Sequence, residues 1–217
     1  MIIAGTGHRP DKLPLGYHPS MMSLMKRTIR SVLPDNTTEI ISGMALGWDT
    51  ALALVALEEG IPLVAAVPFV GQETRWKEAD QKVHRQIVRR ASRVVVVSKG
   101  GYSPAKMQTR NMWMVDTADR ILALWDGSDG GTANCVRYAQ GERKPIENCW
   151  SRFMARHHGS PMGFALHAES GSGVVFYGQD EFDEIQDGCL EPVHFREYKR
   201  AREEGWQLDW MKEWDLI

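Results

Sequence analysis

Short apolar runs alternate with longer amphipathic stretches over the first two thirds of the chain. The apolar runs predict strands within residues 1–4, 39–42, 61–67, 94–98, 120–125 and 145–148. Between them, apolar residues recur at helical spacing, as Met22, Met25, Ile29 and Leu33 do. Alternating strands and helices are typical of a parallel sheet with right-handed crossovers. The pattern therefore predicts an α/β fold with a mostly parallel sheet and helices on both faces, in which residues 61–67 and 94–98 are buried strands.

The pattern changes near Trp150, where the regular alternation ends. The remaining residues carry a polar, aromatic end with Trp206, Trp210 and Trp214 at helical spacing. We therefore predict a main domain over residues 1–148 and a small C-terminal extension over residues 149–217 that ends in a helix. The three tryptophans form an apolar stripe too large for so small a lobe to cover, which predicts a homo-oligomer.

Composition narrows the possible partners and the cellular location. With 217 residues, 43% hydrophobic residues and a net charge of −2, the chain has no overall attraction to nucleic acids or anionic membranes. No apolar run approaches the roughly 20 residues of a membrane helix, and no signal peptide is recognisable. Cys135, Cys149 and Cys189 are widely spaced and match neither a disulfide framework nor a zinc site. We therefore expect a cytoplasmic protein without a metal.

Three glycine-bearing segments follow predicted strands and carry the candidate binding chemistry. They span residues 5–10, 42–49 and 126–132. Glycine permits sharp turns and close approach of a ligand, and a helix N-terminus attracts anions. Because the carboxyl ends of neighbouring parallel strands form one crevice, these segments should converge where open α/β sheets bind nucleotides. The sequence therefore predicts a site for a phosphate-bearing nucleotide or a derivative of one.

Individual side chains in these segments suggest roles within that site. The forked guanidinium of Arg9 suits a phosphate, whereas His8 could instead satisfy a neighbouring backbone group. Gly43 and Gly47 bracket a loop whose amides could form an anion-binding nest. Asp49 has two open interpretations, as a helix N-cap or as a contact to a ribose hydroxyl. The Walker pattern is absent, so nucleoside-triphosphate hydrolysis of that type is not expected.

The same segments resemble a known superfamily. Ser42-Gly43-Met44-Ala45-Leu46-Gly47-Trp48-Asp49 resembles the Ser-Gly-x-Ala-x-Gly-x-Asp motif of the DNA-processing protein DprA, and Arg110-Asn111 resembles its Arg-Asn element. The stretches 6–13 and 68–76 are similar to the YpsA-like family. Both groups belong to the SLOG superfamily, which also includes the LOG (Lonely Guy) phosphoribohydrolases. Over roughly residues 1–147, the resemblance implies a Rossmann-like, nucleotide-binding domain and self-association.

One departure from the LOG pattern bears on catalysis. LOG enzymes carry Gly-Gly-x-Gly-Thr-x-x-Glu, and Cys135 stands here at the place of the glutamate. A thiol does not readily take over the role of that carboxylate in glycosidic cleavage. Such chemistry would need Asp49 or Asp126, which are the catalytic candidates, or is absent. Whether the protein is an enzyme therefore stays open.

The leading hypothesis is a sensor or sequestering protein for a nucleotide-derived signal, such as an ADP-ribose-like molecule or a cyclic nucleotide. The alternatives are a nucleotide-processing hydrolase and a DprA-like protein that binds single-stranded DNA, which the net charge disfavours. No cofactor beyond the nucleotide-type ligand is implied. The candidate ligand-binding residues are Gly5, Thr6, Gly7, His8, Arg9, Ser42, Gly43, Met44, Ala45, Gly47, Asp49, Arg110, Asn111, Asp126, Gly127, Gly130, Gly131, Thr132 and Asn134.

Overall fold

A computed structural model describes residues 1–158, apart from residues 15 and 18, and three short strands further along the chain. The chain divides into two structural units, with the boundary between Phe153 and Met154. The strands are β1 (Ile2–Gly7), β2 (Glu39–Ser42), β3 (Leu63–Val67), β4 (Arg93–Val96), β5 (Arg120–Leu124), β6 (Ile146–Asn148), β7 (Gly163–His167), β8 (Gly173–Phe176) and β9 (Leu190–Val193). The α-helices are α1 (Pro19–Arg30), α2 (Trp48–Glu58), α3 (Glu78–Arg90), α4 (Pro104–Thr117), α5 (Gly131–Gly141) and α6 (Trp150–His158).

The first unit is built on a six-stranded parallel sheet in the order β4-β3-β2-β1-β5-β6. The chain moves outward from β1 to β4 and then returns to β5 on the other side of β1. Helix α2 contacts α1 and α3, and α4 contacts α5, as right-handed crossovers in the two directions require. The predicted Rossmann-like α/β fold is confirmed, with its topological switch point between β1 and β5.

The core lies on both sides of the central strands. All five residues of β3 are buried, which accounts for its uninterrupted apolar sequence. Ala4 and Ile41 on the neighbouring strands join a cluster with Met114 and Val115 of α4. This packing fixes the strand ends from which the polar loops emerge.

Strand β1 continues to Gly7, so the prediction that it ends at Ala4 and turns at Gly5 is wrong. Both glycines lie in extended strand against α2. A Cβ added at Gly5 would lie 2.4 Å from Leu52 Cδ2, and one at Gly7 would lie 2.5 Å from Trp48 Cβ. These glycines therefore allow close packing of a helix on a strand rather than a turn.

Strand β4 was predicted to be buried, and this is also wrong. It forms the edge of the sheet beside β3, and Val94 and Val96 are 44% and 47% exposed. An apolar run does not reveal whether its strand is central or at an edge, because that depends on the strand order.

The second unit contains an antiparallel sheet in the order β8-β7-β9. The predicted terminal helix with Trp206, Trp210 and Trp214 lies outside the residues that the structure describes. None of the helices in the described part of the chain has the length and apolarity needed to cross a membrane.

Candidate functional site

The loops after β1, β2 and β5 converge with α4 around an open cavity of about 170 Å³ at the carboxyl edge of the sheet. We call it the switch-point cavity. It is lined by Thr6, Gly7, His8, Arg9, Asp11, Lys12, Ala45, Asp49, Met107, Arg110, Asn111, Ser128, Asp129, Gly130, Gly131 and Thr132. The convergence follows from the parallel order β2-β1-β5, which brings the three strand ends side by side.

A buried ion pair forms one wall of this cavity. Arg110 on α4 is 5% exposed, and its Nη1 lies 3.3 Å from Asp49 Oδ2 and also donates to the carbonyl of Gly43. Burial raises the pKa of Asp49 and lowers that of Arg110, while each charge favours the ionised form of the other. Among the described residues, no hydrogen-bond partner is found for Arg110 Nε. A Cβ at Gly43 would overlap the guanidinium of Arg110, so the absence of a side chain at Gly43 makes room for the ion pair.

The loop after β2 uses its amides internally. The amide of Met44 donates to Ser42 Oγ at 3.1 Å, and that of Ala45 donates to Asp49 Oδ2 at 3.4 Å. The Asp49 carboxylate therefore accepts an amide hydrogen bond that the sequence analysis expected a bound anion to accept. The interpretation of Asp49 as a helix N-cap is wrong, since Gly47 is the N-cap and Asp49 lies within the first turn of α2.

The loop after β5 presents the N-terminus of α5 to the cavity. Its N-cap is Gly130, with a φ of 142°, and no side chain caps this end of the helix. The helix dipole and the first amides favour an anion here. Lys12 reaches across from the loop after β1, and its Nζ donates to the carbonyl of Asp129 at 3.2 Å and to Ser128 Oγ at 3.4 Å.

His8 and Asp126 tie the loops after β1 and β5 together. His8 is 2% exposed, and its Nε2 lies 2.8 Å from Asp126 Oδ1 and 3.1 Å from the Asp126 amide nitrogen. Burial raises the pKa of Asp126, but hydrogen bonds from Ser128 and His8 outweigh it and lower that pKa to about 2. The Asp126 side chain is thus an ionised structural link. His8 Nε2 lies within hydrogen-bond distance of both the carboxylate and the backbone amide of Asp126, and depending on its tautomer it donates to the first or accepts from the second.

The structure brings some of the predicted residues to the cavity and leaves others outside its lining. Those lining it are Thr6, Gly7, His8, Arg9, Ala45, Asp49, Arg110, Asn111, Gly130, Gly131 and Thr132. Those outside its lining are Gly5, Ser42, Gly43, Met44, Gly47, Asp126, Gly127 and Asn134. Sequence reasoning missed Asp11, Lys12 and Met107 as lining residues, and it did not single out Ser128 and Asp129 within the predicted segment 126–132. The sequence signal for Lys12 was its position shortly after Arg9.

Cys135, which stands at the place of the LOG glutamate, is a buried and protonated thiol. Cys135 is 1% exposed and does not line the cavity. Burial raises the pKa of its thiol to about 11, although a hydrogen bond with Thr6 opposes the shift. It is therefore a neutral core side chain at physiological pH. Within the described part of the chain, no three His, Cys, Asp or Glu residues form a group that could hold a metal ion.

A parallel sheet with glycine-bearing loops around its switch point defines the protein as a Rossmann-like domain. Residues 6–148 match the YpsA family model, described as the YspA SLOG family, and the chain belongs to this family. It is 32% identical to the uncharacterized SPbeta prophage-derived protein YoqJ of Bacillus subtilis, over 57% of this chain and 84% of that protein. It is 27% identical to a UPF0398 protein of Bacillus thuringiensis, over 70% and 89% of the two chains.

Two solved DprA structures share the fold. That of Streptococcus pneumoniae matches with a TM-score of 0.51 and 19% identity over 66% of this chain. The present chain spans about half of that protein, with 48% covered. Helicobacter pylori DprA, described as binding single-stranded DNA, matches with a TM-score of 0.50 and 17% identity, over 72% of this chain and 73% of that one. At these identities the likeness concerns the fold alone.

Proposed function

We propose that the protein binds a phosphate-bearing nucleotide or nucleotide-derived molecule in the switch-point cavity and acts as a sensor or sequestering protein. The observation that carries the proposal is the buried guanidinium of Arg110, whose Nε lacks a partner among the described residues. A buried donor without a partner is costly, and a phosphate oxygen would satisfy it. The N-terminus of α5, without a side-chain cap, supplies further donors in the same cavity.

The mixture of charges favours a nucleotide over a bare phosphate ion. Arg9 and Lys12 add positive charge to the cavity, while Asp49 is paired with Arg110. Asp11 also lines the cavity, and a carboxylate repels phosphate but accepts hydrogen bonds from sugar hydroxyls. A ligand with a phosphate at one end and a ribose at the other would match both kinds of group. No cofactor other than this ligand is part of the proposal.

A ligand screen with two readouts tests this function. ADP-ribose, nucleoside monophosphates and diphosphates, and cyclic nucleotides would be added singly, with melting temperature as the first readout. We expect one class to raise it, because a ligand that binds only the native state stabilises that state. Chromatography with mass spectrometry would then show the ligand recovered unchanged. If none stabilises the protein and no nucleotide copurifies with it, the proposal is wrong.

The same screen decides the two alternatives. Rapid release of a free base would establish a hydrolase, against which stand the neutral thiol of Cys135 and the position of Asp126 outside the cavity lining. If the protein binds single-stranded oligonucleotides and this binding weakens steeply with salt, it is a DNA-binding protein like Helicobacter pylori DprA. The net charge of −2 gives no support to that mode.

Arg9→Ala is expected to weaken binding of the ligand identified in that screen by about 10- to 150-fold. Arg9 is exposed, lines the cavity and lies in the loop after β1, so its guanidinium is available to a phosphate. A charge-assisted hydrogen bond contributes about 1.5–3 kcal/mol, which corresponds to this range. Calorimetric titration provides the measurement. Arg89→Ala on α3, also exposed, is the matched control, and equal affinities of the two variants would remove Arg9 from the site.

We further propose that the protein is cytoplasmic and self-associates through its C-terminal extension. The free, buried thiols of Cys135 and Cys149 suit a reducing compartment such as the cytoplasm.

Sedimentation tests the proposed self-association. The full chain is expected to be an oligomer, and a chain ending at His158, which keeps the buried Phe153, should be monomeric. A monomeric full chain at micromolar concentrations would contradict the proposal.

A further inference from the structure

A second cavity of about 220 Å³ lies among residues of α1, α2 and α3 and is chemically unlike the first. Its wall is largely apolar and includes Tyr17, Met21, Met22, Met25, Leu54 and Trp76. We call it the methionine cavity. It adjoins the switch-point cavity without sharing a lining residue: Pro10 and Gly47 line the methionine cavity, whereas Arg9 and Ala45 line the other.

One polar side chain in this apolar wall has its hydrogen-bonding capacity unused. His84 is 7% exposed, and neither ring nitrogen has a hydrogen-bond partner among the described residues. The nearest carboxylate oxygen, Glu73 Oε2, is 3.9 Å from Nδ1, beyond hydrogen-bond distance. Burial lowers the pKa of His84, so the ring is neutral at physiological pH and offers one donor and one acceptor. Buried polar groups are normally hydrogen-bonded, so a ring nitrogen of His84 is expected to find a partner in a molecule bound within the cavity.

The other lining groups define the shape and charge of that partner. Methionine side chains adapt to flat rings, and the Trp76 ring meets the His84 ring edge-on, with centroids 5.3 Å apart. An apolar cavity of about 150 Å³ accepts benzene, so the methionine cavity has room for a larger ring system. No Lys or Arg occurs among its described lining residues, which makes it unsuited to phosphate. Asp80 adds a carboxylate that could accept a hydrogen bond from an amine.

We propose that the methionine cavity binds an uncharged nitrogen heterocycle of nucleobase size that carries an exocyclic amine. His84 forms one hydrogen bond with the heterocycle through one of its ring nitrogens, because the two nitrogens of an imidazole point away from each other and cannot both reach one planar ligand. The methionines and Trp76 enclose the faces of the heterocycle, and Asp80 accepts from its amine. The proposal is independent of the proposed function of the switch-point cavity, because the ligand needs no phosphate.

Adenine, which lacks both sugar and phosphate, is the probe, and calorimetric titration of the full chain is the measurement. We expect saturable binding of adenine and weaker binding of unsubstituted purine, which lacks the amine. His84→Leu should weaken adenine binding by up to about tenfold, through loss of its hydrogen bond to the base. Met22→Trp should abolish binding by filling the cavity. Val70→Ser, at a site 78% exposed, is the control that should bind as wild type does.

Three results of the titrations would overturn the proposal. They are no saturable adenine binding to the wild-type chain, unchanged affinity in both cavity variants, and equal affinity for adenine and purine. His84→Leu removes an unsatisfied buried group and should fold at least as stably as wild type, which thermal melting checks. A second measurement needs no variant: the imidazole nitrogen resonances of His84 should shift when adenine is added to wild type. Unchanged resonances would mean that solvent water alone satisfies this ring.

Discussion

Gly7→Ala is expected to lower the free energy of unfolding by about 3 kcal/mol, at the upper end of the range typical for overpacking. The added Cβ would lie 2.5 Å from Trp48 Cβ and 2.6 Å from Trp48 Cγ, far inside normal contact. Trp48 has little freedom to move away, because it is fully buried and its Nε1 donates to the carbonyl of Leu122 at 3.1 Å. Urea unfolding followed by circular dichroism measures the loss.

Two other glycines serve as matched controls for this variant. Gly141→Ala is expected to be neutral or stabilising by up to about 1 kcal/mol, since a Cβ there meets nothing within 4 Å and alanine favours helix. Gly5→Ala should fall between the two, because its closest neighbour is the end of the Leu52 side chain. If Gly7→Ala and Gly141→Ala unfold at the same urea concentration, the close contact with Trp48 carries no energetic weight.

These glycines show why the sequence predicts the strands well and the strand ends less well. The sequence pattern locates all six strands of the main sheet, and it does so most clearly for central strands such as β3 and β5, because a strand covered on both faces has few polar positions. Gly5 and Gly7 carry no local sign of what packs on them. Their role depends on Leu52 and Trp48, which lie more than forty positions further along the chain.

The same holds for the switch-point cavity: the sequence predicts which loops form it, but not which side chains pair across it. That the loops after β1, β2 and β5 meet follows from parallel strand order, and motif resemblance marked Arg110 and Asn111. The pairing of Arg110 with Asp49 spans 61 positions, and the contact of Lys12 with Ser128 spans 116. Neither pairing has a periodic or spacing signal, so only the folded chain reveals which charges are neutralised and which donor lacks a partner.

Loss of the Arg110 guanidinium is expected to have the largest effect on stability of any single substitution in the cavity. Arg110→Met leaves the carboxylate of Asp49, which is 5% exposed, buried without its counter-charge. Removing one partner of a buried pair typically costs about 3–5 kcal/mol, whereas replacing both partners costs far less. The double variant Asp49→Asn/Arg110→Met should therefore be more stable than Arg110→Met alone. Urea unfolding of the wild type, the single variant and the double variant gives the comparison.

The pH dependence of the stability lost in Arg110→Met distinguishes two causes. One is the buried Asp49 carboxylate left without its counter-charge, and the other is the loss of packing around residue 110. Burial already raises the pKa of Asp49, and losing Arg110, which opposes this shift, should raise it further. A carboxyl group whose pKa is higher in the folded than in the unfolded state penalises folding above the folded-state pKa, and the penalty falls as pH drops through it. The stability difference between Arg110→Met and the double variant, which lacks the Asp49 carboxyl, should therefore shrink on acidification. A deficit independent of pH, or a double variant less stable than the single, would show that Arg110 supports the fold through its packing and not through the charge of Asp49.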